Sequence, residues 1–150
     1  MSRLLLLAVV ATAVAVAGCG GNGGSGGDRL SEQEFASRLN TICADYNDFA
    51  ESVEAPKSVA EIPDWIDEVL PRFEDAIADA RALRPPEDAQ RDANEFFSIA
   101  DDEAQLLRDI RNAAEDGDEQ EIIDLQQEGE ALDDRSDEVA RRLDADKCTE

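Results

Sequence analysis

The groups able to do chemistry in this chain are carboxylates, three thiols and little else. It carries 37 Asp and Glu residues against 14 Lys and Arg, cysteines at positions 19, 43 and 148, and no histidine. The lack of histidine removes the commonest general base, the common zinc ligand and any Ser-His-Asp arrangement. With Glu-x-x-His impossible, a ferritin-like di-iron centre is excluded too. The stretch Asp116-Gly117-Asp118-Glu119-Gln120-Glu121 puts its glycine in the wrong place for the sharp turn of an EF-hand loop. The only glycine cluster, at 20–27, reads as a tether rather than a phosphate cradle. What remains is acid on helical faces. Glu130, Asp134 and Glu138 recur every four residues, and Glu121, Asp124 and Glu128 form a neighbouring strip. Like charges at that spacing weaken a helix slightly, and a divalent cation held between helices would relieve them. Glu130, Asp134 and Glu138 are therefore the candidate metal ligands, with a solvated acidic face as the simpler account. A glycosidase-like carboxylate pair needs a cleft and one carboxyl of raised pKa, and the sequence marks neither. No catalytic residue and no cofactor is expected.

Cys19 stands where the chain changes character. Before it come Arg3 and an uncharged run from Leu4 to Ala17, rich in Leu, Val and Ala. That run is too short for a membrane-spanning helix, which takes roughly 20 residues, and it has the form of an export signal. Val16-Ala17-Gly18-Cys19 resembles the lipobox of bacterial lipoproteins. The resemblance implies diacylglycerol on the Cys19 sulfur, cleavage after Gly18 and an acylated new amino terminus. Several acyl chains hold a protein far more firmly than one. Residues 1–18 are then a lipoprotein signal peptide, residues 19–27 the lipidated cysteine and a Gly-rich flexible tether, and residues 28–150 the folded domain. Eight tether residues span about 15 Å on average, at roughly 5 to 6 Å times the square root of length.

Lipid on Cys19 leaves two thiols. In an oxidising compartment Cys43 and Cys148 are expected to pair, closing a loop of about 100 residues worth up to ~4.7 kcal/mol in the chain-entropy model. That leaves no thiol nucleophile.

The formal net charge is −23, and one unit more negative once Arg3 leaves with the leader. Phosphate binding needs basic patches, and here basic residues stand singly among acids, so nucleic acid is not an expected partner. Anionic headgroups repel such a domain; the acyl chains must supply the membrane attachment. The preference for Arg over Lys, with abundant Ala and Asp, suggests a GC-rich genome.

The elements that must position these groups are helical. Phe35, Leu39, Ile42, Tyr46, Phe49 and Val53 alternate spacings of four and three, one apolar face of a first helix. Ser31 with Glu34 forms a capping box, Leu30 and Phe35 a hydrophobic staple, and Pro56 ends the segment. A second helix starts near Ser58, with Pro63 either in its first turn or marking its true start, and carries Ile62, Ile66, Val69, Phe73, Ile77, Ala80 and Leu83. Pro71 within it predicts a kink. Pro85-Pro86 stops that helix and Pro86 suits the first position of a third, whose buried side is Phe96, Phe97, Ala100, Ala104, Leu107 and Ile110. Gly117 breaks the chain. Asp118 with Glu121 caps a fourth helix carrying Ile122, Leu125, Gly129, Leu132, Ser136, Val139 and Leu143. Tyr46 and Trp65 read as core.

Gly129 costs about 1 kcal/mol relative to Ala inside a helix, so a glycine in an apolar stripe needs a reason. Close approach of Phe73, Phe96 or Trp65 over Gly129 and Ser136 is one, and a ligand-sized gap is the functional one. Together these features predict an all-α fold, an antiparallel four-helix bundle, up-down-up-down, with one disulfide. One detail strains that picture: Cys43 lies about 18 Å along the first helix, whereas Cys148 follows the end of the fourth. Either the helices are offset by about three turns or the tail folds back.

The lipobox, "NTICADYN" around Cys43, "ALRPPED" between helices and "EDGD" before a last helix ending in "DKCTE" together resemble small secreted lipoproteins of actinobacteria. The resemblance implies a location and a fold and supplies no activity. The expected role is a non-catalytic helical module on the outer face of the cell membrane, presenting an acidic surface to an envelope protein or polymer. The alternative is binding of a divalent cation or small ligand at the acidic helix faces.

Overall fold

The computed structural model of the chain describes residues 29–149. The expected signal peptide, the expected lipidation at Cys19 and the expected tether all fall outside the described residues. Four helices follow in order: α1 (Glu32–Ser52), α2 (Ile62–Ala82), α3 (Gln90–Asp116) and α4 (Glu119–Arg142). Two short 3-10 turns, Val59–Glu61 and Asp146–Cys148, precede α2 and follow α4. Among the described residues no helix is long and apolar enough to cross a membrane.

The starts of α1 and α4 follow from single side chains. Ser31 Oγ accepts from the Glu34 amide while Glu34 reaches back to the Ser31 amide, a complete capping box. Phe35 is buried and Leu30 packs against the same core. At α4, Asp118 accepts from the Glu121 amide at 3.1 Å, and Gly117, at φ 71, supplies the left-handed turn that ends α3. Of the other two starts, that of α2 matches one of the two expected alternatives and that of α3 differs. Helix α2 begins at Ile62 with Pro63 in its first turn, after the 3-10 turn, and stays helical through Pro71, which sits at an exposed position. Helix α3 begins at Gln90 rather than Pro86, because residues 87–89 form a turn and Ala89 has no side chain to cap with.

Helices α2 and α3 run antiparallel, as the order of the ion pairs between them shows. From α2 to α3, Arg81 meets Asp101, Arg108 meets Glu74 and Arg111 meets Asp67. From α3 to α4, Arg142 reaches Glu95 at 2.8 Å. Exposed pairs of this kind contribute little stability, but they fix which faces meet. The main core lies at the end where α1 starts and α4 finishes, around Phe35, Leu39, Phe97, Ile99, Leu132 and Val139. Ile99 is fully buried there although it falls outside the expected stripe of α3. A smaller cluster of Ala113, Ala114 and Ile122 closes the opposite end.

The strain over the cysteines is resolved by the tail. Asp144, at φ 54, takes the left-handed conformation that Asp tolerates better than most residues. The Ala145 amide donates to the Ala140 carbonyl at 2.9 Å, and that of Asp144 to Arg141 at 3.3 Å, a Schellman ending that reverses the chain. The tail then runs back along α1, where Cys148 bonds to Cys43 across 105 positions of sequence. Asn40 donates to the Asp144 carbonyl at 2.8 Å and accepts from the Lys147 amide at 2.7 Å, and Asn47 donates to the Lys147 carbonyl at 2.9 Å. The two asparagines of "NTICADYN" are thus the clamp for "DKC". The backbones of α1 and α4 rarely come close; their side chains share the main core at the end where α1 starts, and beyond it the folded-back tail joins them.

Candidate functional site

That separation leaves a cleft of about 820 Å³ along the middle of the molecule, within the range of small-molecule sites. Alanines let α2 and α3 approach closely, with Ile77, Ala100 and Ala104 buried between them. Helix α1 gives the cleft Leu39, Ile42 and Tyr46, and α2 gives Phe73. Helix α3 gives Phe96, Leu106 and Ile110. The disulfide and Thr149 border it on the tail side. Tyr46 and Phe73 face each other at 5.2 Å between ring centroids.

Into this apolar wall α3 inserts Glu103. Loss of hydration pushes its carboxyl up from 4.5 to about 7, helped by the negative charges of Asp133 and Asp102 and opposed by a hydrogen bond with Ser136. Tyr46 responds to the same neighbour: burial raises its phenol first, and the Glu103 charge raises it further. Asp133 is raised by desolvation and then by Asp137, Asp134 and Glu130 on its own helix. A half-buried carboxyl that holds its proton near neutral pH, beside a hydroxyl and a phenol, can donate to a ligand when protonated or pair with a cation when ionised.

The acidic strip divides here. Glu130 and Asp134 border the cleft, whereas Glu138 pairs with Arg142 at 3.3 Å, so the three candidate ligands do not converge. Among the described residues no group of three or more His, Cys, Asp or Glu side chains is placed to hold a metal ion.

Gly129 and Ser136 both line the cleft. The neighbour over Gly129 is Leu106, not Phe73, Phe96 or Trp65: a Cβ at Gly129 would stand 3.1 Å from Leu106 Cδ2. Trp65 is half-exposed and does not line the cleft. Leu106 borders open volume and can yield, so Gly129→Ala is expected to leave stability unchanged or raise it by up to about 1 kcal/mol through helix propensity, read from urea denaturation. A loss larger than that would show Leu106 to be wedged.

Glu103 escaped the sequence reading although its position carried a signal. Phe96, Ala100, Glu103, Leu107 and Ile110 alternate spacings of four and three, so the carboxylate interrupts an apolar stripe, as Ser136 does in α4. Comparison with models of protein families, with curated proteins and with solved structures gives no match, so the functional reading rests on this cleft and the groups that line it.

Proposed function

We propose that the chain is an extracytoplasmic binding protein, held at the membrane by lipid on Cys19, that takes an apolar small molecule into the cleft between α1 and α4. The observation that supports this is the volume itself. Protein interiors are close-packed, and a module needing only an acidic outer surface has no use for an apolar hollow walled by four helices. The reading is non-catalytic: the chain has no histidine, Cys43 and Cys148 are bonded to each other, and Asp133, the acid whose charge acts most on Glu103, is exposed.

The test uses the mature chain from residue 19 with Cys19→Ser and the neutral fluorophore N-phenyl-1-naphthylamine. Saturable binding near one per chain is expected, and Ala76→Phe, which adds a ring to the α2 wall, should abolish most of it. Absence of a saturable signal, or indifference to Ala76→Phe, would overturn the small-molecule reading. The anchor is tested separately. In cells, Cys19→Ala should eliminate acyl labelling and free the domain from membranes, and persistent labelling would show that another residue carries the lipid.

A further inference from the structure

The lining of the cleft is one-sided in charge. Glu103, Glu130, Asp133, Asp134 and Asp137 border it, with neither Lys nor Arg among its lining residues. The side chains facing Glu103 are accounted for helix by helix: Tyr46 from α1, Ser136 and Asp133 from α4, and Asp102 beside it on α3. Helix α2 contributes Phe73, Ala76 and Ile77, none of which titrates. A carboxylate ligand would meet five acids and no cation, and a purely apolar one would leave Glu103 without hydration when it ionises. A positive group there removes both penalties, gains a charge-assisted hydrogen bond and lies near the Tyr46 and Phe73 rings, whose faces attract cations. The remaining wall, Leu39, Ile42, Phe96, Leu106 and Ile110, suits an apolar body.

We infer that the cleft takes a cationic amphiphile, an apolar body bearing a protonated or quaternary amine that seats against Glu103. This rests on the reading of the cleft as a small-molecule site.

The test displaces N-phenyl-1-naphthylamine with three probes of one chain length and different head charge, below their micellar concentrations: decyltrimethylammonium, 1-decanol and decanoate. The cation is expected to bind at least about tenfold more tightly than the other two, since charge-assisted contacts are roughly twice as strong as neutral ones. Seating it requires Glu103 to release its proton, so affinity should fall roughly 30-fold from pH 8 to pH 5.5, about tenfold per unit below a carboxyl titrating at about 7. Glu103→Gln should remove both the preference and the pH dependence. Glu128→Gln, which deletes an equal charge from the exposed face of α4, should keep both and so separates the site from the general acidity of the chain. If decanol or decanoate binds as tightly, or the two variants behave alike, the cationic inference falls while the cleft reading stands on fluorophore binding. If the fluorophore itself does not bind, both fall.

Discussion

Replacing Cys43 and Cys148 together by serine is expected to lower the stability of the folded domain by about 2 to 5 kcal/mol. Two terms act in the same direction. The bond closes a loop across 105 positions, for which the chain-entropy model gives about 4.7 kcal/mol, and both cysteines pack against the main core, where Leu39, Leu143 and Ala145 are buried. The Asn40 and Asn47 hydrogen bonds to the tail remain possible, which keeps the loss below complete unfolding. Urea denaturation of the double variant gives the magnitude. Amide exchange gives the location: residues 144–148 and α1 should lose protection before the α3 and α4 contact does. An unchanged midpoint would mean that the tail is held by its asparagine clamp alone.

Glu103→Gln is expected to act oppositely, as a gain. The Glu103 carboxyl titrates at about 7 in the folded chain against 4.5 ordinarily. Between those values the native state keeps a proton that the unfolded state has released, so this group's contribution falls as pH rises. The penalty is absent below about pH 4.5, grows through the window and is complete above pH 7. Glutamine has nearly the same shape, can still bond Ser136 and never ionises. At pH 8 the variant should therefore be more stable than the parent by about 1 to 3 kcal/mol, the range reflecting solvent screening at a partly exposed group. At pH 4.5 the difference should shrink toward zero. Urea midpoints at the two pH values check both statements, and a variant no more stable at pH 8 would show that the wall around Glu103 is wetter than its packing implies. A residue whose removal stabilises the fold is one retained for some other reason, and ligand binding is the reason proposed.

What could be read from residues alone divides along a physical line. Local signals were legible because the groups that make them are close in sequence: the Ser31 and Glu34 box, the Asp118 cap, the Gly117 break and the four apolar stripes all depend on neighbours within a few positions. The start of α3 was not, since Pro85-Pro86 announces a stop while the turn at 87–89 offers no capping side chain. The cysteine pairing was expected, but its geometry depended on a left-handed Asp144, a conformation with no mandatory sequence mark. The cleft was the least legible feature. It exists because α1 and α4 stay apart, a relation between segments some ninety residues distant, and Glu103 is one acid among 37 until that gap surrounds it. Gly129 did point there, for the right reason in kind, room, with the wrong neighbour.

The fold-back at Asp144 also sets an order of events. Every hydrogen bond from α1 to the tail, and the covalent bond as well, reaches a residue at position 144 or later. During synthesis, α1 must therefore wait for residues 144–148 before its tail-facing side is secured. Until then α1 is held by α2 and by the packing of Phe35 and Leu39 in the main core, and the tail side of the hollow stays open. A chain cut short before those few residues would be largely helical and unable to enclose anything, so helix content by itself would be a poor measure of a finished molecule.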